Sequence, residues 1–158
     1  NSAIQDAAGN DSISLSSAAV TNSSTVDTTA PVLSSAVLGA NGTTLTLTYN
    51  EALNATTAAT TDFAVLVDGS PTTVSARSIS GSTVILTLSP AVLGSSTVTV
   101  AYNAPSSSNL TTNNAVQDTA GNDALSFSAT AVTNNSTEGP PRLVSAVVAS
   151  NVAALECC

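Results

Sequence analysis

With 158 residues, ten carboxylates, two arginines (Arg77 and Arg142) and neither lysine nor histidine, the chain carries a formal net charge of −8. This balance excludes the basic face that nucleic acids and anionic membrane surfaces require, and no apolar run approaches the roughly 18 residues of a membrane-spanning helix. The many hydroxyl groups lack the histidine or lysine that usually activates them as nucleophiles, so we expect no enzymatic activity and no catalytic residue.

The residue types favour strands over helices. Threonine and valine, which suit pleated strands, are frequent, whereas methionine and lysine, which suit helices, are absent. Cysteine occurs only at the last two positions, which is typical of an extracellular protein that does not rely on internal disulfides. We therefore expect an all-β protein from outside the cytoplasm.

One stretch of the chain occurs twice. Residues 5–22 have the sequence QDAAGNDSISLSSAAVTN, and residues 117–134 have the sequence QDTAGNDALSFSATAVTN. The linkers that follow the two copies also correspond, since Pro31 and Pro141 stand at equivalent places 110 residues apart. The chain therefore contains about one and a half units of a repeating series.

The repeat divides the chain into four segments. Residues 1–25, in which apolar and polar positions alternate after a Gly-Asn-Asp turn, are predicted to be the closing strand of a preceding repeat. Residues 26–30 form a linker, because Pro31 imposes an extended approach. Residues 31–137 are predicted to be one complete repeat, and residues 138–158 a linker and the first strand of a following repeat.

Within the complete repeat, alternating apolar residues predict seven strands separated by turn signals such as Asn41-Gly42. The strands are expected at residues 32–38, 45–49, 63–67, 73–79, 84–88, 98–102 and 125–131. The fourth strand is short and mostly polar, which predicts an edge strand, and one helical turn is expected around residues 51–53. Seven strands with connections short enough for antiparallel pairing indicate an immunoglobulin-like β-sandwich.

The unit that combines LTYNEAL (residues 47–53), DFAVLVDG (residues 62–69) and QDTAGND (residues 117–123) resembles the flagellar system-associated repeat. That repeat occurs in tandem in very large bacterial surface proteins, including the cyanobacterial swimming-motility type. The resemblance covers residues 31–137 and implies an extracellular or cell-surface protein with an immunoglobulin-like fold and no catalytic role. The DTTAP linker is also similar to that of bacterial immunoglobulin-like adhesin repeats, in which linker and loop carboxylates often hold calcium.

Oxygen-bearing side chains around the repeated turn are the candidate calcium ligands, because calcium takes roughly 6–8 oxygen atoms. The candidates are Asp6, Asn10 and Asp11, their equivalents Asp118, Asn122 and Asp123, and Asp27 (or Glu138) on the following linkers. The alternative interpretation is that Gly-Asn-Asp only makes a turn in which aspartate caps backbone amides. Glu51 is predicted to be a loop carboxylate rather than a ligand, and no other cofactor is expected.

The adjacent cysteines Cys157 and Cys158 are candidates for interchain disulfides, because neighbouring cysteines pair with each other only through a strained bond. The alternative is that the two thiols are incidental.

Two functions are open at this point. In the first, the chain is a structural repeat of a filament or giant surface protein. Its partners are then adjacent repeats or copies of itself, joined by tandem or strand-completing contacts. Alternatively, it is an adhesin repeat that holds a surface glycan or a protein through the loops at residues 50–61 and 103–114. These loops contain neither the tryptophan nor the clustered tyrosines that usually stack on sugars or anchor protein contacts.

Overall fold

The computed structural model describes residues 3–14, 16–17, 19–55, 58–105 and 114–140. Eight strands and one short 3₁₀ turn form in these ranges, so the all-β prediction is confirmed. The elements are β1 (Leu33–Leu38), β2 (Thr44–Tyr49), the 3₁₀ turn (Thr60–Asp62), β3 (Phe63–Val67), β4 (Ser70–Ser80), β5 (Thr83–Ser89), β6 (Val98–Tyr102), β7 (Phe127–Ala131) and β8 (Thr133–Asn134). The helical turn predicted at residues 51–53 is wrong, and the 3₁₀ turn lies nine residues later, where Asp62 Oδ2 accepts from the Ala59 amide at 2.8 Å.

The strands form one mixed sheet in the order β7-β6-β3-β4-β5-β2-β1-β8, in which only β1 and β8 are parallel. The fourth strand is not short, as predicted, but is the longest, with 11 residues. It pairs with β3 through residues 70–72 and with β5 through residues 73–80. Residues 73–80 therefore pair on one side only, as expected of an edge, and none of the residues of β4 is buried.

The two ends of this sheet lie close together. β7 pairs with β6 at one end and β8 pairs with β1 at the other, yet Val132 alone separates the two strands in sequence. Because consecutive Cα atoms are about 3.8 Å apart, the sheet must curl until its ends nearly meet. The structure is therefore nearly barrel-shaped, and the predicted seven-stranded sandwich is not confirmed. The eighth strand has only two residues, too few to show any alternation in the sequence.

The interior is filled by alternate residues of the central strands. The residues that are at most 3% exposed include Leu38, Leu45, Leu47, Tyr49, Val65, Val84, Leu86, Leu88, Val98, Val100 and Tyr102. Tyr102 lies between two other aromatic rings, with its centroid 5.2 Å from Phe63 and 6.0 Å from Phe127. Three of the four aromatic residues thus lie where β3, β6 and β7 adjoin.

The chain enters and leaves the sheet at opposite ends of β1. At the entry end, the Val32 amide donates to Asn50 Oδ1 at 2.7 Å. At the exit end, the Asn135 amide donates to the Leu38 carbonyl at 3.0 Å, and the Gly94 amide donates to the Glu138 carbonyl at 2.9 Å. A strand of six residues is about 20 Å long, so these two ends, called here the entry and exit poles, are separated by the length of the sheet.

Close packing at the exit pole requires glycine in the β1–β2 hairpin. Gly42 has a φ of +65°, a left-handed conformation in which side chains are strained. A Cβ atom at this position would lie 2.5 Å from the Val92 carbonyl oxygen. The hairpin predicted from Asn41-Gly42 therefore also provides the surface on which the loop after β5 and the last described residues pack.

The two buried tyrosines provide a matched test of this core. Tyr102 Oη accepts a hydrogen bond from the Val116 amide at 2.8 Å, whereas Tyr49 Oη is buried without a hydrogen-bond partner among the described residues. Loss of a satisfied bond costs about 1–2 kcal/mol, while removal of an unsatisfied buried hydroxyl is neutral or stabilising. We therefore expect Tyr102→Phe to lower the free energy of unfolding in urea and Tyr49→Phe to leave it unchanged or raise it. Equal losses of unfolding free energy in the two variants would contradict the conclusion that only Tyr102 Oη accepts a hydrogen bond.

Candidate functional site

The repeated sequence forms a turn that is closed by its own aspartate. In the second copy, Asp118 Oδ1 accepts from the backbone amides of Ala120 at 2.9 Å and Asn122 at 2.8 Å. Its Oδ2 accepts from Asn122 Nδ2 at 2.7 Å, and Gln117 Nε2 donates to Asp123 Oδ1 at 2.6 Å. The turn, residues 117–123, is called here the second AGND turn.

The first AGND turn, residues 5–11, has the same geometry. Asp6 Oδ1 accepts from the amides of Ala8 and Asn10, both at 2.9 Å, and its Oδ2 accepts from Asn10 Nδ2 at 2.9 Å. Gln5 Nε2 donates to Asp11 Oδ1 at 2.5 Å. In both copies, therefore, the aspartate caps the amides of its own turn, as the second interpretation of the motif expected. Calcium binding by these residues stays a prediction.

The two turns differ in their surroundings. The second turn packs on the loop after β2, where Leu53 and Asp118 form an isolated β-bridge and the Asn54 amide donates to the Gln117 carbonyl at 2.8 Å. Asp118 is consequently buried, with 2% of its surface exposed. Every described residue from 3 to 14 is exposed, and these residues form a turn with one isolated bridge instead of a strand. Their predicted role as the closing element of a preceding repeat stays a prediction.

Three carboxylates meet at the entry pole: Asp27 on the linker, Glu51 after β2 and Asp118 on the second AGND turn. Their nearest oxygen atoms all lie within 4.8 Å of one another. The linker is held there by Asn122, whose Nδ2 donates to the Asp27 carbonyl at 3.1 Å. Glu51 Oε1 is inaccessible to solvent and has no hydrogen-bond partner among the described residues. The group is called here the carboxylate cluster.

The protonation behaviour of the cluster follows from these positions. Desolvation, followed by the negative charges of Asp27 and Asp118, raises the pKa of Glu51 above its ordinary value. Desolvation also acts on Asp118, but the hydrogen bonds from the Asn122 side chain and the turn amides outweigh it, and the pKa of Asp118 is lowered. The charged form of Asp118 is thus stabilised, whereas the charged form of Glu51 is destabilised.

The structure brings together only part of the predicted ligand set. Asp27 and Asp118 lie in the cluster, and Asn122 reaches it through its amide nitrogen. Asp123 is buried within the second turn, and Asp6, Asn10 and Asp11 lie in the exposed first turn. Glu51 was predicted to be a plain loop carboxylate, yet it completes the cluster, because pairing of Leu53 with Asp118 draws its loop against the turn.

The remaining predicted positions lie elsewhere. Glu138 is at the exit pole, where its carbonyl oxygen accepts from Gly94. Cys157 and Cys158 fall outside the described residues, so the interchain disulfide stays a prediction. An apolar groove at the start of β1 is lined by residues 30–33, Leu125 to Phe127 and Thr130.

Comparison with known proteins identifies the type of repeat. Residues 26–107 match the family described as "Putative flagellar system-associated repeat", a match of 82 of the 158 residues. The chain belongs to this family. The matched region includes Asp27 and Glu51 and ends before the second AGND turn. No curated protein and no solved structure matches the chain. The described part of this repeat contains no helix of the length and apolar character that crossing a bilayer takes.

The charge coupling in the cluster is testable by titration. Asp27→Asn removes one of the two negative charges that raise the pKa of Glu51, so we expect that pKa to move down toward its ordinary value in calcium-free buffer. The measurement is NMR titration of the Glu51 carboxyl carbon. Asp11→Asn, in the exposed first turn, serves as the control and leaves the Glu51 pKa unchanged. An unchanged value in Asp27→Asn would show that the charge of Asp27 does not contribute to the shift.

Proposed function

We propose that this chain is a non-enzymatic structural module of a tandem array, in an extracellular or cell-surface filament or giant surface protein of a bacterium. The observation that supports this most directly is the separation of the entry and exit poles along the sheet. When the chain enters and leaves each module at opposite poles, every additional repeat lengthens the array by the length of one module. Membership of a repeat family and the two AGND turns support the same proposal.

The linkers are short enough to make such an array extended. The first linker, residues 26–30, spans at most about 17 Å when fully extended. It is further restricted by the bond from Asn122 to Asp27. Successive modules therefore lie pole to pole, and adjacent repeats of the same chain are the first partners we propose.

We also propose that each module has the immunoglobulin-like arrangement expected from its sequence. The support is the dual pairing of β4: residues 73–80 continue the layer formed by β5, β2, β1 and β8, while residues 70–72 join the layer formed by β3, β6 and β7. In this view the curled sheet is two layers that share one long strand.

We further propose that calcium binds the carboxylate cluster and fixes the linker to the module. The donor set fits a hard cation in two respects: it consists of three carboxylates, and Glu51 Oε1 is a buried acceptor without a hydrogen-bond partner among the described residues. Asp27, Glu51 and Asp118 would hold the ion, which would neutralise their mutual repulsion. Because Asp27 belongs to the linker, occupancy would stiffen the joint between repeats.

The calcium proposal predicts opposite effects of one substitution in two buffers. A carboxylate with a raised folded-state pKa contributes stability that is present below its unfolded-state pKa and lost as the pH rises through its folded-state pKa. At neutral pH with chelator, the ionised carboxylate of Glu51 destabilises the folded state. Glu51→Gln removes this charge, so we expect a melting temperature equal to or above that of the wild type. In millimolar calcium the wild type gains stability through binding, and the variant does not.

Glu138→Gln, at the exit pole, is the control for that experiment and keeps the response of the wild type in both buffers. A wild type that melts at the same temperature with calcium and with chelator would refute calcium binding, and an equal gain in Glu51→Gln would refute binding by the carboxylate cluster.

Electron microscopy of the native multi-repeat protein tests the structural role. We expect extended particles with beads spaced by roughly 35 Å, the diameter of a domain of about 110 residues. In chelator the beads are expected to persist while the particles bend more, because only the joints depend on the ion. Compact particles without a regular spacing, combined with binding of the isolated chain to a glycan array, would favour the adhesin function instead.

A further inference from the structure

The end of the complete repeat is bound to its own exit pole by three side chains. Asn134, Ser136 and Thr137 donate side-chain hydrogen bonds of 2.7–3.1 Å to backbone carbonyls of that pole. The acceptors are the carbonyls of Ala40, Val92, Leu93 and Ser96. The Thr137 amide also donates to the Ala40 carbonyl, at 2.9 Å. The chain is therefore attached to its own repeat as far as Thr137.

The end of the preceding repeat has the same three side chains. Residues 22–25 (NSST) correspond to residues 134–137 (NNST), and they differ only at the second position, which makes none of these bonds. The local conformation also agrees. The Ser24 amide donates to Asn22 Oδ1 at 2.9 Å, and the corresponding bond in residues 134–137 is 3.0 Å long. We therefore expect the preceding repeat to hold the chain as far as Thr25.

The following repeat binds the chain again only two residues later. Asn122 Nδ2 donates to the Asp27 carbonyl at 3.1 Å, so that Val26 is the single residue between the two attachments. The Cα atoms of Thr25 and Asp27 are at most about 7 Å apart. This distance is shorter than the roughly 10 Å between two packed sheets. The exit pole of one repeat and the entry pole of the next must therefore touch.

The entry pole has an apolar surface that such a contact would cover. In the described part of residues 31–137, the large apolar side chains that are exposed are Val32, at 60%, and Leu125, at 81%. Both line the groove at the start of β1. Val26, on the linker beside them, is 78% exposed. Exposed apolar side chains that are grouped at one end of a molecule mark a contact surface.

The exit pole has an uncharged surface that matches it. A second groove is lined by Val67, residues 70–72, residues 90–93 and Ser96, and the β1–β2 hairpin (residues 39–43) lies at the same pole. These residues, called here the exit surface, include no charged side chain. The exit surface can therefore lie beside the acidic carboxylate cluster without adding repulsion. The linker does the same, because Val26 occupies the position that Glu138 has in the second linker.

We infer that the exit surface of one repeat packs directly on the entry pole of the next, around Val26, Val32 and Leu125. Adjacent repeats then hold a fixed orientation, and Val26 is buried between them. This inference rests on the proposed function, because it requires repeats in tandem. It adds a contact that does not depend on calcium, since none of its three apolar side chains is an ion ligand.

A two-repeat protein, in which residues 1–137 are followed directly by residues 26–158, tests the contact. Because Thr137 corresponds to Thr25, the join reproduces the first linker. Urea unfolding is measured in chelator, so that ion binding does not contribute. We expect Val26→Ser or Leu125→Ser in the second repeat to lower its midpoint by about 0.5 M, because each variant removes apolar area from the contact.

The same substitutions in the first repeat are the matched control. Its entry pole faces no complete repeat in this protein, so we expect its urea midpoint to stay unchanged. Equal effects in the two repeats would overturn the contact. Small-angle X-ray scattering of the same protein distinguishes this failure from that of the proposed function. An extended particle with equal effects leaves the tandem array intact without the contact, whereas two repeats folded side by side would contradict the array itself.

Discussion

The attachment of the second AGND turn to Tyr102 is the contact on which the rest of the structure depends. The ring of Tyr102 packs between Phe63 and Phe127, and its hydroxyl accepts from the Val116 amide. Burial raises the pKa of Tyr102 to about 12, so that this hydroxyl stays protonated and neutral over the physiological range. A single residue thus connects the interior of the sheet to the segment that carries Asp118. Together with the bridge between Leu53 and Asp118, this connection holds Asp118 at the carboxylate cluster.

Features that depend on neighbouring residues could be predicted from the sequence, whereas pairings between distant segments could not. The strands with strict alternation, such as Leu45–Tyr49, and the Asp68-Gly69 turn are local features, and both predictions agree with the structure. The pairing of β4 is not local, because its polar sequence does not indicate that residues 70–72 pair with β3 while residues 73–80 pair with β5. The pairing of β8 with β1 joins residues nearly 100 positions apart and involves two residues only. No periodicity could have indicated it.

The same distinction applies to the site. The aspartates of the AGND turns were identified because the turn is local and occurs twice. Glu51 was predicted to be a loop carboxylate, because no feature of LTYNEAL (residues 47–53) indicates a contact with Asp118, which lies 67 residues further along the chain. Its proximity to Asp118 results from the bridge at Leu53, and its raised pKa results from that proximity. The sequence therefore located two of the three carboxylates, Asp27 and Asp118, and tertiary pairing supplied the third.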